Sequence, residues 1–450
     1  MEGMTEALIA NLAKVRALRA ISRTSIMRYK GARKPLPEIA RELNVDGVIE
    51  GSALRAGNRV RVTAQLIHAP SDTHLWAQSY ERDLGDVLSL QNEVARDVAE
   101  RIQVVLTPAE DASLARRRAV SPEAYKAYLK GRHYLKQWTD ESLRKAVDCF
   151  EEATRHDPDW PLGYAGLAEA HVWLLSGLEV YKSQDTAVKA RIAARRALEL
   201  DPALAEAHVS LALVATYHDW DCDAAEFHFR RAFESGPEYA DTHLWYAWYL
   251  TCLQGKFDDA LRELDCAERL DPLSMQIRHA KGITYYFRRE FDAAIEQFQK
   301  ALDLEPNFAL AHYDLGIALT QKGSYEEAIA RFEEAIRLGG RSVNHIGELG
   351  FAHARAGNRQ MALELLSELL QRSQQGYVAS FWIAPIYTGL GEADAAFEWL
   401  DRAARERDGA LIYLLAPEFH SLRPDPRFAA LLRKMGLGHL AAKAATGGAL

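Results

Sequence analysis

From the amino end, apolar positions recur first at helical and then at strand spacing. Thr5 can N-cap a helix with Leu8, Leu12 and Val15 on one face, and the apolar run Leu18–Ser22 behind it predicts a strand. PLPEIARELNV predicts a short helix with Ile39, Ala40 and Leu43 inward. Three alternating segments follow: VDGVIEGSALRA, RVRVTAQLIHA and HLWAQSYE. In the second, Val60, Val62, Ala64 and Leu66 face one way and Arg61, Thr63 and Gln65 the other, as in a half-buried strand. Gly57-Asn58 signals a two-residue hairpin and Pro70 to Thr73 a longer turn. LGDVLSLQNEVARDVAERIQVVL then sets Val87, Leu90, Val94, Val98, Ile102 and Val105 on one stripe, a helix able to cover the sheet.

Residues 1–107 are therefore expected to be a small α+β domain with a mixed sheet. A helix leading into a buried strand is the second half of a β-α-β crossover, so the domain is expected to lack its usual first strand ahead of Glu2. An open sheet edge of that kind invites self-association or a strand from another chain. The order GMTEALIANL, LRAISRTS, IARELNVDGVIEGSALRAGNRVRVTAQLIHAPSDTHLWAQSYERDL resembles the TolB amino-terminal-like domain of bacterial regulatory proteins, which is similar to the FlgO family. The resemblance implies a place behind a winged-helix DNA-binding, adenylate-cyclase or protein-kinase domain, with helical repeats after it. Arg55, Arg59, Arg61, Asp46, Glu50 and His68 fall on the outer sheet face by alternation and make no catalytic set.

After a linker over 108–120 the pattern becomes periodic. Small anchor residues stand at Gly131, Ala168, Ala212, Ala247, Gly282, Gly316, Gly350 and Ala384, with spacings of 37, 44, 35, 35, 34, 34 and 34. One unit reads Gly282, Ala294, Phe298, Ala301, Pro306 and the next Gly316, Ala328, Phe332, Ala335, Gly340. The pattern resembles the tetratricopeptide repeat and predicts eight helix pairs over 121–404. Small residues let helices approach closely while large ones fill the remaining space. Pro158, Pro202, Pro237, Pro272 and Pro306 end second helices. The extra residues lie in KQWTDESL, around GLEVYKSQDT, and singly near HDWDCD and QGKFDD. PEFHSLRPDPRFAALLRKMGL is expected to supply a capping helix within 405–437, with a disordered tail over 438–450. The fold class is thus an α+β amino-terminal domain followed by an all-α superhelical solenoid.

First helices line the inner face of such a stack. In this register Trp173, Leu213, Trp248, Ile283, Tyr286, Tyr313, Ile317 and Phe351 point inward, joined by Tyr128, Val209, Thr216 and His279. An apolar, aromatic groove suits a peptide or helix with large apolar anchors. Chaperone-binding relatives clamp a terminal carboxylate with Lys and Asn; Glu169, Leu213, Trp248, Ile283 and Phe351 occupy the Asn-type position, which argues against such a clamp.

Charge adds one candidate. The net charge is −8, yet residues 1–107 hold 15 Lys/Arg against 13 Asp/Glu and the rest 40 against 50. Lys14, Arg16, Arg19, Arg23, Arg28, Lys30, Arg33 and Lys34 form a stretch without an acid, from which Arg19, Arg23, Arg28, Lys30, Arg33 and Lys34 make a candidate anion patch. The run His218 to Asp223 offers imidazole, thiolate and carboxylates, but a turn where Asp221 or Asp223 caps a helix explains it more simply. Four cysteines without paired spacing read as reduced thiols. There is no phosphate loop, zinc-protease or nucleophile-elbow motif, and GLGEAD (389–394) belongs to an interhelical turn. No catalysis, cofactor, metal, nucleic-acid partner or membrane span is expected, and the cytoplasm is the expected compartment. The sequence reads as a protein-binding scaffold or regulatory module. Its alternative is the accessory half of a signalling enzyme or transcription regulator.

Overall fold

The computed structural model describes residues 8–9, 12, 15, 18–29, 31, 34–56, 59–83, 86–102, 107, 120–135, 140–175, 183–236 and 239–445. Strands β1 (Gly47–Ala56), β2 (Arg59–His68) and β3 (Thr73–Asp83) form an antiparallel sheet in the order β1-β2-β3. Val60 faces Arg82, Val62 faces Tyr80 and Leu66 faces Trp76, with a bulge at Leu66/Ile67. The inward side chains of β2, with Trp76 and Tyr80 of β3, are buried under Leu90, Val94 and Val98 of a helix at Val87–Arg101. Tyr80 donates its hydroxyl to Asp97 Oδ2 at 2.5 Å, tying that helix to the sheet. On the open face Arg59 and Arg61 pair with Glu81.

Two expectations for this region are corrected. The sheet is antiparallel and not mixed, because Leu18–Ser22 forms no strand. Its hydrogen-bonding groups go elsewhere: the Ser22 N–H donates to the Leu270 carbonyl at 3.1 Å. In the short helix that follows, α1 (Arg23–Met27), buried Ser25 donates to Asp271 Oδ1 at 2.5 Å and accepts from the Leu273 N–H at 2.9 Å. The amino-terminal arm is thus docked on a turn of the helical array. The Gly57-Asn58 hairpin and nearly all of the 108–120 linker lie outside the described residues, as do most residues of the opening helix.

With α2 (Leu36–Leu43) and α3 (Val87–Arg101) counted, eight helix pairs follow among the described residues. They are α4 (Pro122–Leu135) with α5 (Asp140–His156), α6 (Pro161–Leu175) with α7 (Ser183–Leu200), α8 (Ala205–Val214) with α9 (Cys222–Ser235), and α10 (Ala240–Tyr249) with α11 (Phe257–Leu270). Then come α12 (Met275–Phe287) with α13 (Phe291–Leu304), α14 (Ala309–Lys322) with α15 (Tyr325–Gly339), α16 (Val343–Arg355) with α17 (Arg359–Gln375), and α18 (Ala384–Leu390) with α19 (Ala393–Glu406). The Gln91 side-chain amide donates to Tyr125 Oη at 3.1 Å, joining α3 to α4.

Close packing explains the small anchors. A Cβ on Gly282 would lie 2.3 Å from the Phe298 ring, and one on Gly316 2.9 Å from the Phe332 ring. Each phenylalanine of a second helix therefore rests on the bare backbone of the first. Helices α8 and α10 each end in a π turn, Ala215–Asp219 and Leu250–Gln254. A π turn absorbs one additional residue, which accounts for the two 35-residue spacings without disturbing the packing.

The carboxyl end departs from expectation. Gly409–Leu415 and Pro417–Leu422 form two 3-10 stretches ahead of α20 (Pro426–Lys434), a helix within the span expected to cap the array, and α21 (Gly438–Ala445) follows. Residues 438–445, expected as part of a disordered tail, are helical, with Leu440 and Ala441 buried. Apolar side chains at those two positions give the segment a face to dock. The four cysteines are free thiols, and among the described residues no helix is long and apolar enough to cross a membrane.

Candidate functional site: the inner face and its occupant

The eight side chains singled out for the groove all stand on first helices: Trp173 on α6, Leu213 on α8, Trp248 on α10, Ile283 and Tyr286 on α12, Tyr313 and Ile317 on α14, Phe351 on α16. All are buried, from 1% exposed at Tyr286 to 9% at Trp173. Two of them, Trp248 and Tyr286, meet Tyr413 and Glu418 of the chain itself. Residues 409–422 run along the first helices with Leu411, Ile412, Leu414, Leu415, Phe419 and Leu422 buried. Tyr413 meets Trp248 edge-on at 6.2 Å and Trp382 at 6.0 Å, and Phe419 packs on Phe381 at 5.3 Å. Other groove residues serve helix-to-helix packing: Trp173 meets Trp245 at 4.7 Å, Tyr313 meets Phe332 at 5.8 Å, and Phe351 lies against Gly389 of α18.

The segment is anchored where it enters. Arg407, at a left-handed φ of 54°, sits over the Trp220 ring at 4.5 Å and donates to the carbonyls of His218 and Asp219 at 3.4 and 3.2 Å. Asp408 Oδ1 accepts from the Ala410 N–H and Oδ2 from the Phe381 N–H, both at 3.0 Å. Burial nevertheless pushes the Asp408 carboxyl up to about 6. Gly409 passes the Leu175 carbonyl so closely that a Cβ would lie 2.3 Å from its oxygen.

Midway along, the contact becomes polar. Tyr286 donates to Glu418 Oε2 at 2.7 Å, and Arg423 donates to the Leu415 carbonyl at 2.5 Å. Glu348 of α16 is buried, and its Oε1 has no hydrogen-bond partner among the described residues. Burial, then the Glu418 charge, pushes the Glu348 carboxyl well above its ordinary range. Burial raises Glu418 to about 7 against the pull of the Tyr286 hydroxyl and Arg423. Beside them His279 Nε2 lies 2.8 Å from Asp314 Oδ2, whose carboxyl burial also raises.

Magnitudes place the seat near balance. Six large apolar side chains at roughly 2 kcal/mol each contribute about 12 kcal/mol. Ordering residues 409–422 at roughly 1 kcal/mol per residue costs about 14 kcal/mol. A buried ionised carboxylate costs several kcal/mol more unless it is paired, so the polar centre decides how firmly the segment is held.

Of the basic stretch, three side chains among the described residues have separate acceptors. Arg19 donates to the Asn44 carbonyl, Arg28 to the Leu304 carbonyl at 2.8 Å, and Lys34 pairs with Glu42. Lys30, Arg33 and the Arg23 side chain lie outside the described residues. At the His218 to Asp223 turn, Asp221 Oδ1 caps α9 by accepting from the Ala224 N–H at 3.0 Å, and Trp220 is buried. Among the described residues no group of three or more His, Cys, Asp and Glu converges as a metal site. Sequence reasoning missed the occupant itself. The signal lay in LIYLLAPEF, whose apolar run lacks the polar face of a surface cap.

Residues 279–342, α12 to the turn after α15, match the tetratricopeptide repeat family model. The two helix pairs α12–α13 and α14–α15 thus match tetratricopeptide repeats. Putative adenylate cyclase 3 of Rhizobium meliloti is 33% identical to this chain over 223 residues, 48% of the chain and 37% of that protein. Transcriptional regulator HilA of Salmonella typhimurium is 26% identical over 252 residues, 56% of the chain and 44% of that protein. The matches thus cover less than half the length of these curated relatives. A solved structure of a monomeric IFIT1 mutant with Gppp-AAAA, 16% identical, superposes with a TM-score of 0.50 over 80% of this chain and 77% of that one. That likeness concerns the fold of the tetratricopeptide array alone.

Proposed function

We propose that the chain is a non-catalytic interaction module of a regulatory system. The inner face of its array binds an apolar protein segment that carries a carboxylate, and residues 409–422 are its resident occupant. The observation that supports this is the seating of that segment on the first helices, where Trp248, Tyr286 and neighbouring inner-face residues meet it. A partner segment of the same chemistry would compete for the same surface. The cytoplasm suits four free thiols, which an oxidising compartment would tend to pair.

The test is a fluorescent peptide with the sequence of residues 409–422, added to the full chain and to a Leu411→Ser/Phe419→Ser variant that holds its own segment weakly. Saturable binding to the variant and not to the parent is expected. A folded variant that ignores the peptide contradicts the reading.

A second reading is favoured by the curated relatives: the chain acts as the accessory half of an adenylate cyclase or transcription regulator, with the amino-terminal sheet as its sensor. Co-purification with a separately produced cyclase or winged-helix domain tests it. The absence of any complex between the isolated partners argues against it.

A further inference from the structure

Helix α12 is held by two segments that lie far apart in the sequence. Its entry is fastened by the amino-terminal arm. Buried Ser25 donates to Asp271 Oδ1 at 2.5 Å and accepts from the Leu273 N–H at 2.9 Å, and the Ser22 N–H donates to the Leu270 carbonyl at 3.1 Å. The Asp271 carbonyl in turn accepts the Ser274 N–H at 3.2 Å, and Ser274 Oγ caps α12 by accepting the Ile277 N–H at 3.4 Å. One repeat further on, Arg28 donates to the Leu304 carbonyl at 2.8 Å, at the end of α13, where a helix leaves its last carbonyls without partners of its own.

The arm belongs equally to the amino-terminal domain. Leu18 and Ala20 pack on the sheet core, Tyr29 donates to Glu42 Oε2 of α2 at 2.7 Å, and Arg19 donates to the carbonyl of Asn44, which ends α2.

Further along, α12 meets the resident segment. Tyr286 donates to Glu418 Oε2 at 2.7 Å. His279 stacks on Trp248 at 5.6 Å and 29°, and Trp248 meets Tyr413 edge-on at 6.2 Å. With 13 residues α12 is about 20 Å long, and a helix packed at interior density moves as a unit. A shift at its entry therefore reaches both contacts with the segment.

We propose that the amino-terminal arm is a strap that sets the position of α12 and, through it, the hold of the inner face on residues 409–422. Withdrawal of the arm, by a change of state in the amino-terminal domain, loosens the segment and opens Trp248 and Tyr286 to a partner segment. This rests on the reading of the inner face as the binding surface. The coupling is reciprocal, so departure of the segment loosens the arm by the same factor.

The experiment is amide hydrogen exchange on the full chain, read by mass spectrometry for the parent, Ser25→Ala, Arg28→Ala and the double variant. Residues 18–29 are expected to exchange faster in the double variant, and residues 409–422 to follow by about fivefold or more, while α15 and α17 keep the rates of the parent. The Leu411→Ser/Phe419→Ser variant is expected to speed exchange at residues 18–29 by a comparable factor. A loosened arm with parent-like exchange at residues 409–422 overturns the strap and leaves the seating, and the proposed function, intact. An arm that stays protected in the double variant overturns the strap as well, because the bonds assigned to it then do not hold it. Equal acceleration along the whole array overturns it as a general loss of stability. Unprotected residues 409–422 in the parent overturn the seating itself. Arg28 is exposed, so Arg28→Ala decides the matter if the variants at buried Ser25 do not fold.

Discussion

Ser25 and Asp271 are separated in the chain by the whole sheet and four repeats, yet the Ser25 hydroxyl donates to Asp271 Oδ1 at 2.5 Å and accepts the Leu273 N–H at 2.9 Å. The serine is fully buried and the aspartate nearly so. Asp271 precedes Pro272 in the turn between α11 and α12, so a repeat turn doubles as a dock for the amino-terminal arm. Nothing in the local sequence of RTSIM announces this. It emerges only when both partners are in place.

Replacing Ser25 with alanine removes both hydrogen bonds at once. The expected cost is ~1–3 kcal/mol, because groups that lose partners at a buried site retain their desolvation penalty. Limited proteolysis within residues 18–35 should accelerate while the melting of the array stays near that of the parent. Equal cleavage rates would show the dock to be incidental.

Gly282→Ala tests the repeat packing. The new Cβ has no room 2.3 Å from the Phe298 ring, so the pair must separate. Destabilisation of roughly 1–3 kcal/mol is expected from overpacking, with partial rescue by Phe298→Leu. The measurement is urea denaturation followed by far-ultraviolet circular dichroism. An unchanged midpoint would contradict the geometry.

How far the sequence disclosed this arrangement can be judged from particular residues. The repeat period was legible because Gly282 and Phe298 are tied by a local contact that recurs at Gly316 and Phe332. The meander was legible from the alternation of Val60 to Leu66, whose two faces meet different environments. Leu18–Ser22 misled because a short apolar run fits a strand or an irregular buried arm equally well. For the basic stretch, charge density says nothing about direction: Arg19, Arg28 and Lys34 have three separate acceptors, and the Arg23 side chain, Lys30 and Arg33 lie outside the described residues. The residues expected in the groove stand on first helices and are buried. For Trp248 and Tyr286 the partner lay more than a hundred residues downstream, at Tyr413 and Glu418, in a segment without a periodic polar face.

Asp408 should influence stability with a defined sign. Its carboxyl is raised from an ordinary 3.8 to about 6 by burial, so its contribution is fullest below the ordinary value and is lost as pH rises through about 6. Asp408→Asn keeps an acceptor and removes the titration. The difference in melting temperature between parent and variant should therefore change between pH 4 and pH 7, in favour of the variant at the higher value. A constant difference would mean that Asp408 is better solvated than its surroundings indicate.

Tyr286→Phe removes the hydroxyl donated to Glu418. The loss should be about 1 kcal/mol where Glu418 is protonated and up to about 3 kcal/mol where it is charged, since bonds to charged groups are stronger. Melting curves of parent and variant at pH 5.5 and 8.5 separate the two cases. A loss that is equal at both values would indicate that Glu418 does not titrate in between.

The central claim is that the inner face is filled by residues 409–422. Hydroxyl-radical footprinting of the full chain, read by mass spectrometry at Trp248, Tyr286, Tyr413 and Phe419, tests it most directly, with Phe227, 53% exposed, as internal reference. All four are expected to be oxidised far more slowly than Phe227. Oxidation of Trp248, Tyr286 and Phe419 at rates approaching that of Phe227, in protein whose helical content is intact, would contradict it.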